Sequence, residues 1–474
     1  MKTNMALLSD FYEFTMSNGF FAKGMSDKIA YFDVFFRRIP DNGGYAIFAG
    51  LEQVIDYVKN LHFDNDDIEY LKSTNKFTPE FLDYLSNFKF SGDIWAVPEG
   101  TIVFPNEPLI TVRAPIIEAQ ILETMILLYI NHQSLIATKS SRIVNAAKGR
   151  PVMEFGARRA HNMDAAVFGA RAAMIGGCIG TSCTLTAKEY NVPALGTMAH
   201  SFVQSFDSEY EAFKAYAETY PDDCSLLIDT YDTLNSGIVN AIKVFNDVLV
   251  PNGYRPKGVR LDSGDLAYLS KKVREILDNA GFPDCKICVS NSLDEILITS
   301  LFDQDAKIDS FGVGENLITA KSDPVFGGVY KLVAVEENGK IIPKIKISEN
   351  TVKITNPSFK KTIRFYDKET NKALADVNTL FDEKIPADNY LIFDPQNPWK
   401  KKVLKNYTTK VLQTQIFKNG ELIYNMPSLN DICNYAKSEL DSLWPEVKRL
   451  KNPHKHYVDL SQKLWDLKND LLKR

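Results

Sequence analysis

Long apolar runs are missing from this chain of 474 residues. The longest, ETMILLYINHQSLIA (123–137), is broken by Asn131, His132 and Gln133. It falls short of the about 20 clean apolar residues of a membrane span, so it reads as a buried helix and no membrane partner is expected. A basic excess is missing too. With 55 Lys and Arg against 60 Asp and Glu, the net charge is −5, which argues against a nucleic-acid partner. The first residues, MKTNMALLSDFYEF, reach Asp10 and Glu13 before any long apolar run, so no secretory signal is expected. Cysteine is scarce and scattered, with six in the whole chain, which suits a reducing cytoplasm. Cys285 and Cys288 have C-x-x-C spacing in DCKICVSNS. On a strand, a separation of three sends their side chains to opposite faces, which fits neither a zinc site nor a redox pair. No low-complexity linker divides the chain.

What is present is an ordinary globular composition, 45% apolar and 24% charged, over a length that calls for two or three domains. From about 150 to 330 one theme recurs: a short apolar strand, a polar or glycine-containing turn, then a helical segment. The strands read PVMEF, VPALGTM, SLLIDT, KGVRLDS, KICVSNS and KIDSFGVG; helical segments such as SEYEAFKAYAETY and LAYLSKKVREILDNAG lie between them. Apolar residues at spacings of three and four mark the helices. Strand–helix alternation implies a parallel sheet, and this many units suggests a (β/α) barrel or partial barrel. The expected division is 1–115 as the N-terminal part of an α/β sandwich domain and 116–335 as the barrel. Residues 336–395 would return to the sandwich, and 396–474 would form a charged helical extension.

Polar residues concentrate at the carboxyl ends of these strands: Glu154, His200, Asp229, Arg260 with Asp262, Asn291, and the pair Gly312 and Gly314. In a parallel barrel those ends share one mouth, where active sites are built. Singly, Asp229 and Asp262 are also good helix N-caps, and His200 could be one more capping residue. The repetition favours a common site. In EFGARRAHNMD, Phe155 could stack on a flat ring and the adjacent arginines could grip phosphate or carboxylate; a surface arginine pair is the alternative. FFRRIP repeats the aromatic-then-arginine pattern at Arg37 and Arg38. Arg260 and Asp262 are two apart, which on a strand puts both on one face, either as an internal ion pair or as a grip on an anionic substrate, a hydroxyl or Mg²⁺. The glycine pairs of FGVGEN and FGGVYKL (Gly327, Gly328) expose backbone N–H groups that can cradle phosphate, although tight turns need glycine anyway. LLIDTYDTLNSG resembles the Rossmann-like phosphoribosyltransferase motif, but Asp229 is followed by Thr230 and the acidic pair is absent.

Read in order, EFGARRAH, GTMAHSF, VRLDSGDL, VSNSLDE, FGVGEN and GGVYKLV, together with LLSDFYEFTM and FDVFFRRIP, closely resemble the nicotinate phosphoribosyltransferase family. The resemblance covers about residues 5–335 and weakens beyond. It implies an irregular (β/α) barrel packed with an α/β sandwich domain made from both ends of the chain. It implies transfer of phosphoribose from phosphoribosyl pyrophosphate to nicotinate, with ATP hydrolysis coupled to the step, in NAD salvage. A homodimer with a shared active site is implied as well. Tyr12 of a neighbouring subunit and Phe155 would wall the pyridine ring. Arg158 and Arg260 would lie near carboxylate and phosphates, and Asp262 with Asp229 near ribose or Mg²⁺. Thr197 and Asn291 would contact substrate, while Arg37, Arg38, Gly312, Gly314, Gly327 and Gly328 would hold phosphate. His200 would be the histidine that ATP phosphorylates. Only Cys433 lies beyond Cys288, so the cysteine-rich metal knuckle of some archaeal relatives is absent. Two rivals stand beside this reading: an enzyme of the same fold using nicotinamide, and a catalytically silent nucleotide-binding barrel.

Overall fold

The structure is a computed structural model describing residues 4–473, and it divides into two compact units. The first comprises Met1–Leu135 and Val325–Arg474, and the second Ile136–Pro324. The contact boundaries therefore fall twenty residues later and eleven earlier than 115/116 and 335/336. The first lies inside the helix Glu123–Ala146, which continues unbroken through it.

Both ends of the chain weave into one sheet in the first unit. Seven strands run in the order Lys340–Pro343, Val329–Glu337, Ile29–Phe35, Ile110–Pro115, Asp93–Ala96, Thr414–Lys418 and Glu421–Leu422. All neighbours are antiparallel, with Ala30 opposite Val335 and Ala114. The central strand Ile29–Phe35 (IAYFDVF) is buried along nearly its whole length, as its apolar run requires. Its one charge, Asp33, is neutralised by the equally buried Lys360. The strands Val329–Glu337 and Lys340–Pro343 form a hairpin that turns at Asn338 and Gly339, with φ of 52° and 72°; left-handed Asn-Gly turns match strand twist. A four-stranded sheet, Tyr407–Val411, Lys360–Asp367, Ala373–Leu380 and Val458–Leu460, completes the β structure of the sandwich together with two short two-stranded pairs. At its heart the fully buried Arg364 grips Asp376 through Nε and Nη2 at 2.8 and 2.7 Å and reaches Glu439 at 3.0 Å.

The stretch 396–474, expected to be helical, is a correction. It holds the strands Lys401–Leu404, Tyr407–Val411, Thr414–Lys418, Glu421–Leu422 and Val458–Leu460 as well as the helices Leu429–Ser442 and Gln462–Leu472. Its lysines recur among β-branched and aromatic residues in KNYTTKVLQTQIFKNG, a composition that suits short, half-exposed strands rather than helix.

The second unit is built on five parallel strands in the order Val152–Glu154, Ser310–Val313, Lys286–Val289, Gly258–Leu261 and Ser225–Leu227. Inward residues such as Val152, Leu226, Val259, Ile287 and Phe311 are excluded from solvent. Beyond Val152–Glu154 the sheet continues only through single parallel bridges, Glu154 to Thr181 and Thr181 to Ala194. The segment VPALGTM thus contributes one bridge rather than a strand; Pro193 and Gly196 flank it, and proline cannot donate to a ladder. The parallel array is irregular for this reason. Helices follow the strands, among them Met163–Ile175, Leu266–Asn279 and Glu295–Asp303, the last two capped by Asp265 and Asp294. After Asp232 the chain winds as a π-helix, Thr233–Gly237. Gly237 is obligatory there, because a Cβ would come within 1.8 Å of the Ile228 carbonyl oxygen.

Candidate active site

Parallel register delivers the carboxyl ends of all five strands of the second unit to one edge. Arg260, near the end of the strand Gly258–Leu261, and Asp262, just beyond, point to one side as their spacing predicts. Arg260 Nη2 donates to Asp262 Oδ1 at 3.1 Å, and Arg260 Nε donates to Ser290 Oγ at 2.9 Å. Ser290, buried at the end of the neighbouring strand, donates in turn to Asp262 Oδ1. The guanidinium carbon lies 5.6 Å from the centre of the Phe155 ring. Arginine over an aromatic face is a favourable pairing that also fixes both planes.

Phe155 follows the strand Val152–Glu154, three strands away in the sheet, and its N–H donates to Val313 O at 2.8 Å. Its ring lies against Gly312: a Cβ there would be 2.4 Å from Phe155 Cδ2. Gly312 therefore has a steric duty, making room for the ring. Gly314 is less tightly constrained, with a Cβ meeting the Phe155 carbonyl oxygen at 3.1 Å. Past Gly156 the chain forms the short 3₁₀ turn Ala157–Arg159, on which Arg158 and Arg159 are exposed.

His200 opens the short helix His200–Gln204. Its Nδ1 is 3.1 Å from Thr230 Oγ1, and its Nε2 faces Asp262 Oδ2 at 3.8 Å. Thr197, three residues earlier, is exposed. Asp229 follows the strand Ser225–Leu227 and is nearly buried; Oδ2 accepts the Asp262 N–H at 2.8 Å and the Ser263 hydroxyl at 2.6 Å. Its Oδ1 is buried and meets no donor among the described residues. Asn291 and Ser292 lie at consecutive positive φ, 91° and 50°, at the end of Lys286–Val289. Such strain in non-glycine residues concentrates at functional sites. Asn316 holds that turn, its amide donating to Ser292 O at 2.8 Å.

His200, Asp229, Arg260, Asp262 and Phe155 are thus brought into one linked set, with Asn291, Arg158, Thr197, Gly312 and Gly314 on the adjoining turns. Ser290 and Thr230 belong to the set as well. Neither stood out in the sequence, because a lone hydroxyl after a strand carries no spacing signal.

The remaining candidates belong to the first unit. Tyr12 is exposed on the helix Phe11–Ala22, and burial of its hydroxyl, with the charge and hydrogen bond of Glu123, pushes the phenol up. Arg37 lies with its guanidinium 5.3 Å over the Phe35 ring, and its buried Nε meets no acceptor. Burial lowers the pKa of Lys331, opposed by the Glu123 carboxylate 3.7 Å away, while the charges of Lys346 and Arg37 push it down. Lys331 is therefore already paired with a carboxylate, while Arg38 is exposed. Lys331 stands inside GGVYKLV, a motif read for its glycines. Gly327 has φ of 73°, whereas the N–H of Gly328 is engaged by Asn131 Oδ1 at 2.8 Å.

The family models for the nicotinate phosphoribosyltransferase N-terminal domain, the nicotinate phosphoribosyltransferase family and the corresponding C-terminal domain match residues 7–131, 151–384 and 359–468. Nicotinate phosphoribosyltransferase of Bacillus subtilis is 45% identical over 468 residues, covering 98% of this chain and 94% of that one. Nicotinate phosphoribosyltransferase pncB2 of Mycobacterium tuberculosis is 40% identical over 448 residues, covering 94% and 89%. The crystal structure of human nicotinic acid phosphoribosyltransferase superposes with a TM-score of 0.85 at 28% identity, covering 98% of this chain and all of that one.

Proposed function

This chain belongs to the nicotinate phosphoribosyltransferase family, and from that premise we propose that it joins nicotinate to phosphoribosyl pyrophosphate in NAD salvage, with ATP hydrolysis coupled through His200. The observation that carries the reading is the Arg260 guanidinium, 5.6 Å over Phe155 and tied to Asp262. It supplies a flat wall, a cation and a carboxylate in one place.

In this reading the C1–oxygen bond of the ribose breaks, pyrophosphate leaves, and the pyridine nitrogen lone pair forms the new bond to C1. Phe155 aligns the ring, which converts an encounter into a near-attack geometry. Arg260 and Arg158 face negative charge on carboxylate and phosphate. Asp262, its Oδ1 occupied by Arg260 and Ser290, keeps Oδ2 for a ribose hydroxyl or a cation. The nitrogen needs no general base, because its lone pair is already available.

Mg²⁺ fits the oxygen donors present: the buried Oδ1 of Asp229 meets no hydrogen-bond donor, and Asp262 Oδ2 lies on the same linked set. Among the described residues no group of three or more His, Cys, Asp or Glu converges, so phosphate oxygens of the substrate would complete the shell. Mg²⁺ supplies charge neutralisation of the departing pyrophosphate when bound.

For ATP, the γ-phosphorus–oxygen bond breaks, an N–P bond forms at His200 and ADP leaves; water later cleaves the phosphohistidine. The reaction is assigned to a homodimer with Tyr12 completing the partner's site, in the cytoplasm. Among the described residues no helix is long and apolar enough to cross a membrane.

Steady-state transfer from phosphoribosyl pyrophosphate to nicotinate and, separately, to nicotinamide tests the reading. Turnover with nicotinate at least about a hundredfold above nicotinamide is expected. A preference for nicotinamide would transfer the assignment to the amide-using rival. Absence of turnover with either pyridine would leave the silent nucleotide-binding barrel.

A further inference from the structure

Glu154 is a strand-end carboxylate to which the reaction above gives no role. It is wholly excluded from solvent, a costly position for a charge unless its oxygens are satisfied. Both are. Oε1 accepts the N–H of Gly156, two residues on, and Oε2 accepts the Thr181 hydroxyl at 2.6 Å. Thr181 Oγ1 accepts the Cys183 N–H at 2.9 Å. One side chain thus ties the turn that follows Val152–Glu154 to the turn that starts the helix Thr184–Tyr190.

The backbone repeats the connection: Glu154 N donates to Gly180 O at 3.0 Å and Ser182 N to Glu154 O at 2.8 Å. The chain closes tightly over the carboxylate, since a Cβ on Gly156 would lie 2.8 Å from Glu154 Oε1 and 2.6 Å from Ile318 Cβ. What this turn carries is Phe155 on one side and Arg158 on the other. The Phe155 N–H is anchored to Val313, which fixes its backbone start. The path beyond it is fixed at Gly156, and there the holding group is Glu154.

We propose that Glu154 is a positioning residue for nicotinate: its carboxylate pins Gly156 and Thr181 and so holds the Phe155 ring and the Arg158 turn where the pyridine carboxylate is received. The proposal rests on the reading of Phe155 as the ring wall. Burial pushes the Glu154 carboxyl up, opposed by its two hydrogen bonds. The bridge survives neutralisation, because the Thr181 hydroxyl can accept as well as donate. Glutamine should therefore reproduce it, with Oε1 taking Gly156 N–H and the amide NH₂ facing Thr181.

The test compares Glu154→Ala, Glu154→Gln, Thr181→Val and Phe155→Ala in the full-length enzyme, measuring KM for nicotinate, KM for phosphoribosyl pyrophosphate, kcat and Tm. Glu154→Ala should raise KM for nicotinate about tenfold or more, since misplacing a bound reactant by an ångström is costly. KM for phosphoribosyl pyrophosphate should stay within about threefold. Glu154→Gln should remain within about threefold of wild type on every parameter. If Glu154→Ala does not fold, Thr181→Val, which removes one arm of the bridge, carries the test and should raise the same KM severalfold. The proposal is overturned if the folded variants bind nicotinate normally, if both KM values rise together, or if glutamine is as deficient as alanine. Normal nicotinate binding by Phe155→Ala would instead overturn the ring-wall reading itself.

Discussion

His200 Nε2 and Asp262 Oδ2 stand 3.8 Å apart, while His200 Nδ1 is held 3.1 Å from the Thr230 hydroxyl. The ring is oriented by one nitrogen and presents the other to the site. If ATP phosphorylates this histidine, the phosphoryl group belongs on Nε2. Labelling with γ-phosphate-labelled ATP should give an acid-labile, base-stable adduct that maps to His200. His200→Ala should keep slow ATP-independent transfer and lose both ATP stimulation and nicotinate-dependent ATP hydrolysis. An alanine variant that still couples hydrolysis to synthesis makes His200 a structural histidine only.

Arg260 is gripped by Asp262 and Ser290 and stacked on Phe155. Removing one partner of a hydrogen-bonded charge pair that bound substrate closes off from water typically costs about 2–5 kcal/mol, so Arg260→Ala should lose a factor of tens to thousands in kcat/KM with little change in Tm. Ser290→Ala removes one hydrogen bond to the guanidinium and one to the carboxylate. It should cost about 1.5–3 kcal/mol, the range for bonds to charged groups. Normal turnover per folded molecule in an unstable Arg260→Ala enzyme would mark the pair as purely structural.

Gly312→Ala puts a methyl 2.4 Å from Phe155 Cδ2, so the ring must tilt off its seat. KM for nicotinate should rise about tenfold, whereas Gly314→Ala, with its nearest contact at 3.1 Å, should do less. Calorimetric titration of nicotinate with both variants checks the order. Equal effects would mean that Gly312 acts through its N–H rather than through the space it leaves.

Where a residue's role follows from its own period or turn, the sequence was a sufficient guide. Arg260 and Asp262 share a face because a strand alternates. Roles that arise from contact between distant segments were not legible. Ser290 matters because Arg260 lies one strand away, and the pKa of Lys331 is lowered chiefly by burial, against the pull of Glu123. Gly312 resembled a phosphate turn, yet its space is taken by Phe155, some 150 residues earlier in the chain. The strand expected at VPALGTM is absent for a local reason, the missing N–H of Pro193, and the region after 396 is helical only in Leu429–Ser442 and Gln462–Leu472 because β-branched and aromatic residues between 401 and 422 favour strands.

Tyr12 is 44% exposed, with Leu8, Phe11 and Met16 at 42%, 46% and 41% around it. An apolar cluster of this kind on one short segment suits a surface covered by a second copy. Coexpressing the inactive chains Tyr12→Ala and Arg260→Ala should restore part of the activity, because one of the two hybrid sites would be wild type. Mixed dimers that form but stay fully inactive would show that each site is built within one chain.

Glu13 lies beside Tyr12 and is buried; among the described residues its Oε2 meets no donor, while Oε1 accepts the Thr124 N–H at 3.2 Å. Burial pushes its carboxyl from the ordinary 4.5 to about 7, with the charge of Glu123 adding and the Thr124 hydrogen bonds opposing. A raised folded pKa means that the native state holds the proton more tightly than the unfolded chain. The stabilisation is full below the unfolded value and is lost as pH rises to about 7. Across that window the loss should be roughly 2 kcal/mol, somewhat under the full linkage figure because the site relaxes. Glu13→Gln removes the ionisation and keeps an acceptor for Thr124. Urea unfolding at pH 5 and pH 8 should therefore find the variant near wild type at the lower pH and more stable than wild type at the higher. A variant whose stability relative to wild type is the same at both values would show that Glu13 is charged throughout, with solvent or a second subunit supplying the missing partner.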